Sequence, residues 1–263
     1  MRYNSASKLV GYVVRPFAIR GISALVVFGC TEVIGQSAPP REPQDSTVAP
    51  ALTAGELATF FDGLIPVLLR KDDIAGAVIA VVKDGQVLFA NGYGYADVEA
   101  KRPVSANSTL FRPASISKLF TCTVVMQLVE QGKLDLDVDI NRYLDFEISA
   151  TYPQPITLRN LLTHTGGFQE TIRHHTVPDG GRIQPLNEYL PEHLPPRIFA
   201  PGGTPSYSNY GNALAGYIVE RVSGQPFEEY VDEHIFRPLG MQHSTYVQPL
   251  PDSLKPLMSN GYR

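Results

Sequence analysis

The chain has 263 residues, of which 43% are hydrophobic and 10% aromatic, so it can bury one large core or two modest ones. Its formal net charge is −4 and its pI is about 5.9. This balance leaves no basic face large enough to neutralise several phosphates, which argues against a nucleic-acid partner and favours chemistry on small molecules or polymers.

The N-terminal segment, residues 1–35, has the layout of a secretory signal. Its basic residues are Arg2, Lys8, Arg15 and Arg20, and an uncharged run at 21–30 follows them. This run is too short to span a bilayer. Two processing sites compete: cleavage after Gly35, or lipidation at Cys30, where VFGC resembles a bacterial lipoprotein box. We therefore expect a secreted or periplasmic protein, anchored through a lipid if Cys30 is the modified residue.

A Pro- and Ser-rich linker is expected over 36–51, and a single folded domain over 52–263. Thr53 and Glu56 form a capping-box pattern that predicts the start of the first helix. The apolar residues that follow at helical spacing are Leu57, Phe60, Phe61, Leu64 and Leu68. Their periodicity predicts a stripe that faces the core.

Two β-rich runs at 77–82 and 87–90 flank an Asp84-Gly85 turn, which predicts an antiparallel hairpin. The glycine-containing stretch 91–97 is interpreted as the exit from the second strand, because no helix follows it. No further strand is clear in the sequence.

A helix over 115–131 carries apolar residues on almost every face, which predicts burial on all sides, and Gly132 is expected to end it. Shorter helices are predicted at about 157–164, 210–222 and 226–236. The segment 168–205 has no clear period, which is typical of a functional lid or of a poorly ordered loop.

The Ser-x-x-Lys spacing occurs twice, at Ser5–Lys8 and at Ser115–Lys118. The first copy lies in the predicted signal, whereas the second lies at a helix start. Residues three apart share a helix face, so Lys118 can reach the Ser115 hydroxyl, and the free N–H groups of a helix start suit a developing oxyanion. The alternative is that Ser115 only caps the helix and Lys118 extends into solvent. The spacing alone leaves both interpretations open.

A serine nucleophile needs a base, and two Tyr-x-Asn frames offer one, at 207–209 and 210–212. Tyr210 is in helical register with Leu214, Tyr217 and Ile218, which predicts that it belongs to the core. Tyr207 precedes that helix and is free to face a cleft. His174 and His175 have no carboxylate at ligand spacing, so no metal or cofactor site is predicted.

Five short motifs together resemble the penicillin-recognising serine hydrolases, especially the class C β-lactamase branch with its D-Ala-D-Ala carboxypeptidases and esterases. They are SISK at 115–118, LLTHTGG at 161–167, PGG at 201–203, YSN at 207–209 and PLGM at 238–241. The resemblance implies an α/β (α+β) fold of the β-lactamase/transpeptidase type, with a helical subdomain and an antiparallel sheet subdomain. It also implies hydrolysis of an ester or amide through an acyl-enzyme.

Carried onto this sequence, the resemblance implies that Ser115 is the acylated nucleophile and Lys118 its proton-handling neighbour. Tyr207 would be the general base, and Asn209 would hydrogen-bond both substrate and Lys118. A β-lactam, a D-Ala peptide and a simple ester all remain open as substrates. The alternative function is that of a non-catalytic envelope protein, or an inactive fragment, that keeps the scaffold for binding.

The sequence departs from the family pattern after Tyr207. The family carries a later Lys-Thr-Gly or His-x-Gly motif on a sheet strand, and no such motif follows Tyr207 here. His164-Thr-Gly166 precedes Tyr207 and is interpreted as structural. The chain stops at Arg263 soon after PLGM, so we expect a domain without its C-terminal portion, an incomplete sheet, and weak or absent activity.

Overall fold

The computed structural model describes residues 51–171 and 183–262. The predicted signal, Cys30, nearly all of the linker, and both His174 and His175 lie outside the described residues, so those predictions stay untested.

The first helix, α1, spans Ala54–Lys71, and the predicted capping box is present at its start. The Glu56 carboxylate accepts a hydrogen bond from the Thr53 N–H, and the Thr53 hydroxyl accepts one from the Glu56 N–H. The core-facing stripe is only partly confirmed. Leu57 is buried and the Phe61 ring stacks on Phe89, but Phe60 is 60% exposed.

An antiparallel sheet in the order β1-β2-β3 follows α1. It comprises β1 (Gly76–Lys83), β2 (Gln86–Asp97) and β3 (Arg102–Pro103). Asp84 and Gly85 both have positive φ in the turn, which confirms the predicted hairpin. The expected strand exit at 91–97 was wrong, because β2 continues through it and pairs with the unpredicted β3. Gly92 allows this pairing, since a Cβ there would collide with the Val104 backbone.

The central helix, α2, spans Lys118–Glu130 and is preceded by a 3₁₀ turn at Ala114–Ser117. The prediction of burial on all sides was wrong. One face, carrying Val124, Val125 and Leu128, is fully buried, whereas Ile116 and Leu119 are exposed. The apolar residues are spread around the whole helix, but among the described elements α2 packs chiefly against α5 and α6.

The remaining helices form a layer around α5. They are α3 (Leu158–Leu162), α4 (Leu186–Glu192), α5 (Asn209–Ser223) and α6 (Phe227–Val231), and α6 continues into a π-helical turn at Asp232–Phe236. Short 3₁₀ turns lie at Ile140–Arg142 and Lys255–Leu257. The sequence predicted α3, α5 and α6 but not α4.

Helix α5 is the centre of this layer and contacts α2, α3, α4 and α6. The residues predicted from its periodicity, Tyr210, Leu214, Tyr217 and Ile218, are all buried. Gly224 ends the helix with a left-handed φ of 73°. Because α2 and α5 pack directly together, the start of each helix has a fixed position relative to the other. Among the described residues, no helix has the length and hydropathy that crossing a membrane requires.

Candidate active site

The 3₁₀ turn before α2 presents Ser115 to solvent. Ser115 is exposed, and the residue before it, Ala114, has a φ of 48°, which is uncommon for a residue with a Cβ. Backbone strain of this kind persists only where the surrounding structure holds it, and it concentrates at functional sites. The turn therefore gives Ser115 a defined direction, away from the buried face of α2.

Lys118 and Tyr207 both contact the Ser115 hydroxyl. The Lys118 ammonium donates to Ser115 Oγ at 3.0 Å, and the Tyr207 hydroxyl donates to the same oxygen at 2.6 Å. Lys118 Nζ also lies 4.8 Å from the centroid of the Tyr207 ring. The structure thus brings together an alcohol, an ammonium and a phenol from two segments that are 92 residues apart in the chain.

Asn209 completes this group at the start of α5. Its Oδ1 accepts a hydrogen bond from Lys118 Nζ at 2.6 Å. The preceding residue, Ser208, is buried and caps α5 by accepting from the Gly211 N–H at 2.9 Å. The cap and the buried Tyr210 fix the first turn of α5, and this places Tyr207 just outside the helix and Asn209 just inside it.

His164 contacts the segment around Tyr207 through its backbone and its imidazole. Its carbonyl accepts from the Ser206 N–H at 2.7 Å, and its Nδ1 accepts from the Ser208 N–H at 3.2 Å. The imidazole and the Tyr207 ring lie with their centroids 4.4 Å apart. The LLTHTGG motif forms the end of α3 and the turn after it, as its structural interpretation implied, and that turn also borders the candidate site.

Glu170 was missed by sequence reasoning. Its carboxylate accepts two hydrogen bonds from Asn209, one from the backbone N–H at 2.8 Å and one from Nδ2 at 2.7 Å. Glu170 lies in the segment 168–205, which has no helical or strand period, and its partner is 39 residues away. Its position in a loop between two recognised motifs was the only available signal.

The environment of His164 lowers the pKa of its imidazole below the ordinary value of 6.5. Burial is the largest cause, the positive charge of Lys118 adds to it, and the negative charge of Glu170 opposes it. Because Nδ1 accepts the Ser208 N–H, the proton of the neutral ring lies on Nε2. Protonation would remove that acceptor and place a second cation beside Lys118.

We predict that low pH destabilises the protein through His164. A lowered folded-state pKa gives stability that is present above about pH 6.5 and is lost as pH falls towards and through the lowered value. His164→Asn removes this titration while keeping an acceptor near the Nδ1 position and a residue type that tolerates a φ of 55°. The free energy of unfolding in urea, measured between about pH 5 and 8, should fall more steeply with decreasing pH for wild type than for His164→Asn. The exposed His243→Asn serves as control. If the free energy of unfolding falls equally steeply with decreasing pH in wild type and His164→Asn, the prediction is contradicted.

The candidate site is open to solvent, with Tyr207 45% exposed. It is separate from a cavity of about 650 Å³ at the opposite end of α2, which is lined by residues such as Gly132, Asp135 and Arg159. Within 51–171 and 183–262, no group of His, Cys, Asp and Glu side chains is arranged to hold a metal ion.

The architecture and the Ser-Lys-Tyr cluster together define a protein of the β-lactamase/transpeptidase-like class. The beta-lactamase family model matches residues 61–259, which is most of the chain. The chain therefore belongs to the β-lactamase family.

Curated relatives agree with this assignment. The chain is 34% identical over 218 residues to esterase EstB of Burkholderia gladioli, a match that covers 77% of this chain and 55% of the esterase. It is 31% identical over 210 residues to a β-lactamase of Pseudomonas fluorescens, with 80% of this chain and 56% of that protein covered. The chain thus spans about half the length of the curated relatives it matches.

Solved structures show the same fold. An octameric penicillin-binding protein homologue from Pyrococcus abyssi matches with a TM-score of 0.68 and 29% identity, over 81% of this chain and 48% of that one. A class C β-lactamase matches with a TM-score of 0.65 and 26% identity, over 80% and 55% of the two chains. The predicted family resemblance and the predicted α/β (α+β) fold class are therefore confirmed.

Proposed function

We propose that this protein is a serine hydrolase that cleaves an ester or amide through an acyl-enzyme. The observation that carries the proposal is the double contact on Ser115 Oγ, from Lys118 Nζ at 3.0 Å and from the Tyr207 hydroxyl at 2.6 Å. The separation between the Tyr207 and Ser115 oxygens lies in the range over which a proton can pass from the serine to a tyrosine oxygen that has lost its own proton. Family membership supports the assignment, because relatives are named as an esterase and as β-lactamases.

In the proposed reaction, Tyr207 first loses its phenolic proton to solvent, so that its oxygen accepts from the Ser115 hydroxyl instead of donating to it. Ser115 Oγ then attacks the substrate carbonyl carbon while the serine proton passes to the Tyr207 oxygen. The bond from that carbon to the leaving alcohol or amine then breaks, and the leaving group takes up the proton. Water then attacks the acyl carbon while one of its protons passes to the Tyr207 oxygen, and the bond from that carbon to Ser115 Oγ breaks. The proton returns to Oγ, which restores the serine hydroxyl and releases the acid. The nearby Lys118 ammonium stabilises negative charge on the tyrosine oxygen before the transfer and on the reacting oxygens during it.

Asn209 is proposed to hold Lys118 in this arrangement, which its 2.6 Å hydrogen bond supports. Its contact with substrate stays a prediction. A simple ester, a β-lactam and a D-Ala peptide are the three candidate substrates, and the names of the relatives support the first two.

We also propose a secreted or periplasmic location, either after signal cleavage or with a lipid anchor on Cys30. The sequence pattern of residues 1–35 supports this placement.

A fluorophosphonate probe tests the proposed nucleophile on the wild-type chain. We expect the adduct on Ser115, located by mass spectrometry after digestion. The tryptic peptide that ends at Lys118 also contains Ser117, so fragment ions must assign the modified serine. The heat-denatured protein is the control and should not react, because activation of Ser115 depends on contacts made by the fold. An adduct on another serine, or no adduct on folded protein, would contradict the proposal and favour a non-catalytic binding role.

A further inference from the structure

We propose that Glu170 is a positioning residue that orients the Asn209 side chain and so keeps Lys118 on Ser115. This inference rests on the proposed function above. No motif in the sequence indicates the contact between Glu170 and Asn209. One carboxylate accepts from both donor nitrogens of Asn209, the backbone N at 2.8 Å and Nδ2 at 2.7 Å.

The charge of Glu170 decides which way the Asn209 amide faces. A carboxylate only accepts hydrogen bonds and an ammonium only donates them. With Nδ2 towards Glu170 and Oδ1 towards Lys118, both ends of the amide are matched. The flipped amide would place an acceptor against the carboxylate and a donor against the ammonium. Glu170 therefore selects the orientation in which Asn209 can hold Lys118.

Lys118 links the orientation of the Asn209 amide to the candidate nucleophile, Ser115. Its ammonium is shared between Asn209 Oδ1 at 2.6 Å and Ser115 Oγ at 3.0 Å. A long lysine side chain has many rotamers, and losing one of these two hydrogen bonds would allow the ammonium to leave the serine. The chain of contacts from Glu170 through Asn209 and Lys118 to Ser115 is continuous.

The backbone around Glu170 is firmly held. Phe168 is 1% exposed and pairs with Arg197 in an isolated β-bridge, and the Gln169 N–H donates to the Pro196 carbonyl at 2.9 Å. The negative carboxylate also lies at the N-terminal end of α5, where the helix dipole favours an anion. Glu170 is thus built into a rigid support, as positioning a reactive group requires.

A purely structural role is the competing explanation, because Glu170 also satisfies the backbone N–H at the first residue of α5. The two roles separate in an Asn209→Ala background. That variant keeps the backbone N–H but removes the side-chain amide. A capping role therefore survives in it, whereas a positioning role does not.

The first test is a double-mutant cycle on the rate of fluorophosphonate labelling. We expect Glu170→Gln and Asn209→Ala each to slow labelling of Ser115 by roughly 10–100-fold, since small misplacements of reacting groups have effects of this size. The double variant should be no slower than Asn209→Ala alone. Glu192→Gln, an exposed carboxylate on α4 that also accepts from an amide, is the matched control and should label at the wild-type rate. Wild-type labelling of Glu170→Gln, or additive losses in the double variant, would overturn the inference.

The second test does not depend on activity. The Cε resonance of Lys118 and the side-chain NH₂ resonances of Asn209 should both shift in Glu170→Gln, measured by NMR on the folded protein. If the Lys118 resonance shifts in Glu170→Gln but not when the same substitution is made in the Asn209→Ala background, while wild type shows no labelling at Ser115, the positioning role holds and the proposed function fails. Unchanged Lys118 and Asn209 resonances in Glu170→Gln would overturn the inference whatever the activity.

Discussion

Ser115→Ala is expected to abolish covalent labelling of the chain by a fluorophosphonate and by a fluorescent penicillin. The Ala side chain offers no oxygen at the position where Lys118 and Tyr207 converge, so no acyl or phosphonyl bond can form there. The readout is fluorescence that stays with the protein after denaturation. Because the loss is of the bond itself, the expected signal is background at every probe concentration.

Ser117→Ala is the matched control for this loss. Ser117 belongs to the same 3₁₀ turn, is half-buried, and makes no capping hydrogen bond with its side chain at the start of α2. This variant should label like wild type. Persistent labelling of Ser115→Ala would show that another residue is the nucleophile. Penicillin that binds wild type but is released on denaturation would indicate a non-covalent binding protein.

Periodicity was sufficient to separate the two Tyr-x-Asn frames. Tyr210 falls in register with Leu214 and Ile218, and all three side chains are buried in the structure. Tyr207 lies one residue before the helix cap and is 45% exposed. The distinction works because a helix of 15 residues repeats its buried face several times.

Short elements carried too little signal to be predicted. Strand β3 has two residues and one of them is a proline, which is unusual inside a sheet. Helix α4 has seven residues, contains Pro191, and has no side-chain hydrogen bond at its N-cap. Both elements depend on tertiary contacts rather than on local preference, so their own residues do not indicate them.

Exposure was harder to predict than secondary structure. The apolar pattern of α1 locates the face of the helix that could be buried, but burial depends on what covers it. Among the described residues α1 packs on β2, and Phe60 and Val67 stay at least half exposed. In the same way, Glu170 could not be found from sequence, since its role depends on a partner that only the folded chain places beside it.

Tyr207→Phe is expected to slow acylation of Ser115 by about 10²–10⁴-fold, the range typical of losing a general base. The substitution removes only the hydroxyl that contacts Ser115 Oγ, and the ring can keep its contacts with His164 and Lys118. The measurement is the second-order rate constant of fluorophosphonate labelling, followed over time at neutral pH.

Tyr95→Phe is the matched control, because Tyr95 is also 45% exposed but lies on β2. It should label at the wild-type rate, which would separate loss of the Tyr207 oxygen from a general effect of removing an exposed phenol. If Tyr207→Phe labels as fast as wild type, Tyr207 is not the base. Lys118 would then be the candidate, since it is the other group in contact with Ser115 Oγ. Labelling that is lost in Lys118→Met but kept in Tyr207→Phe would show that Lys118, and not Tyr207, is required for acylation of Ser115.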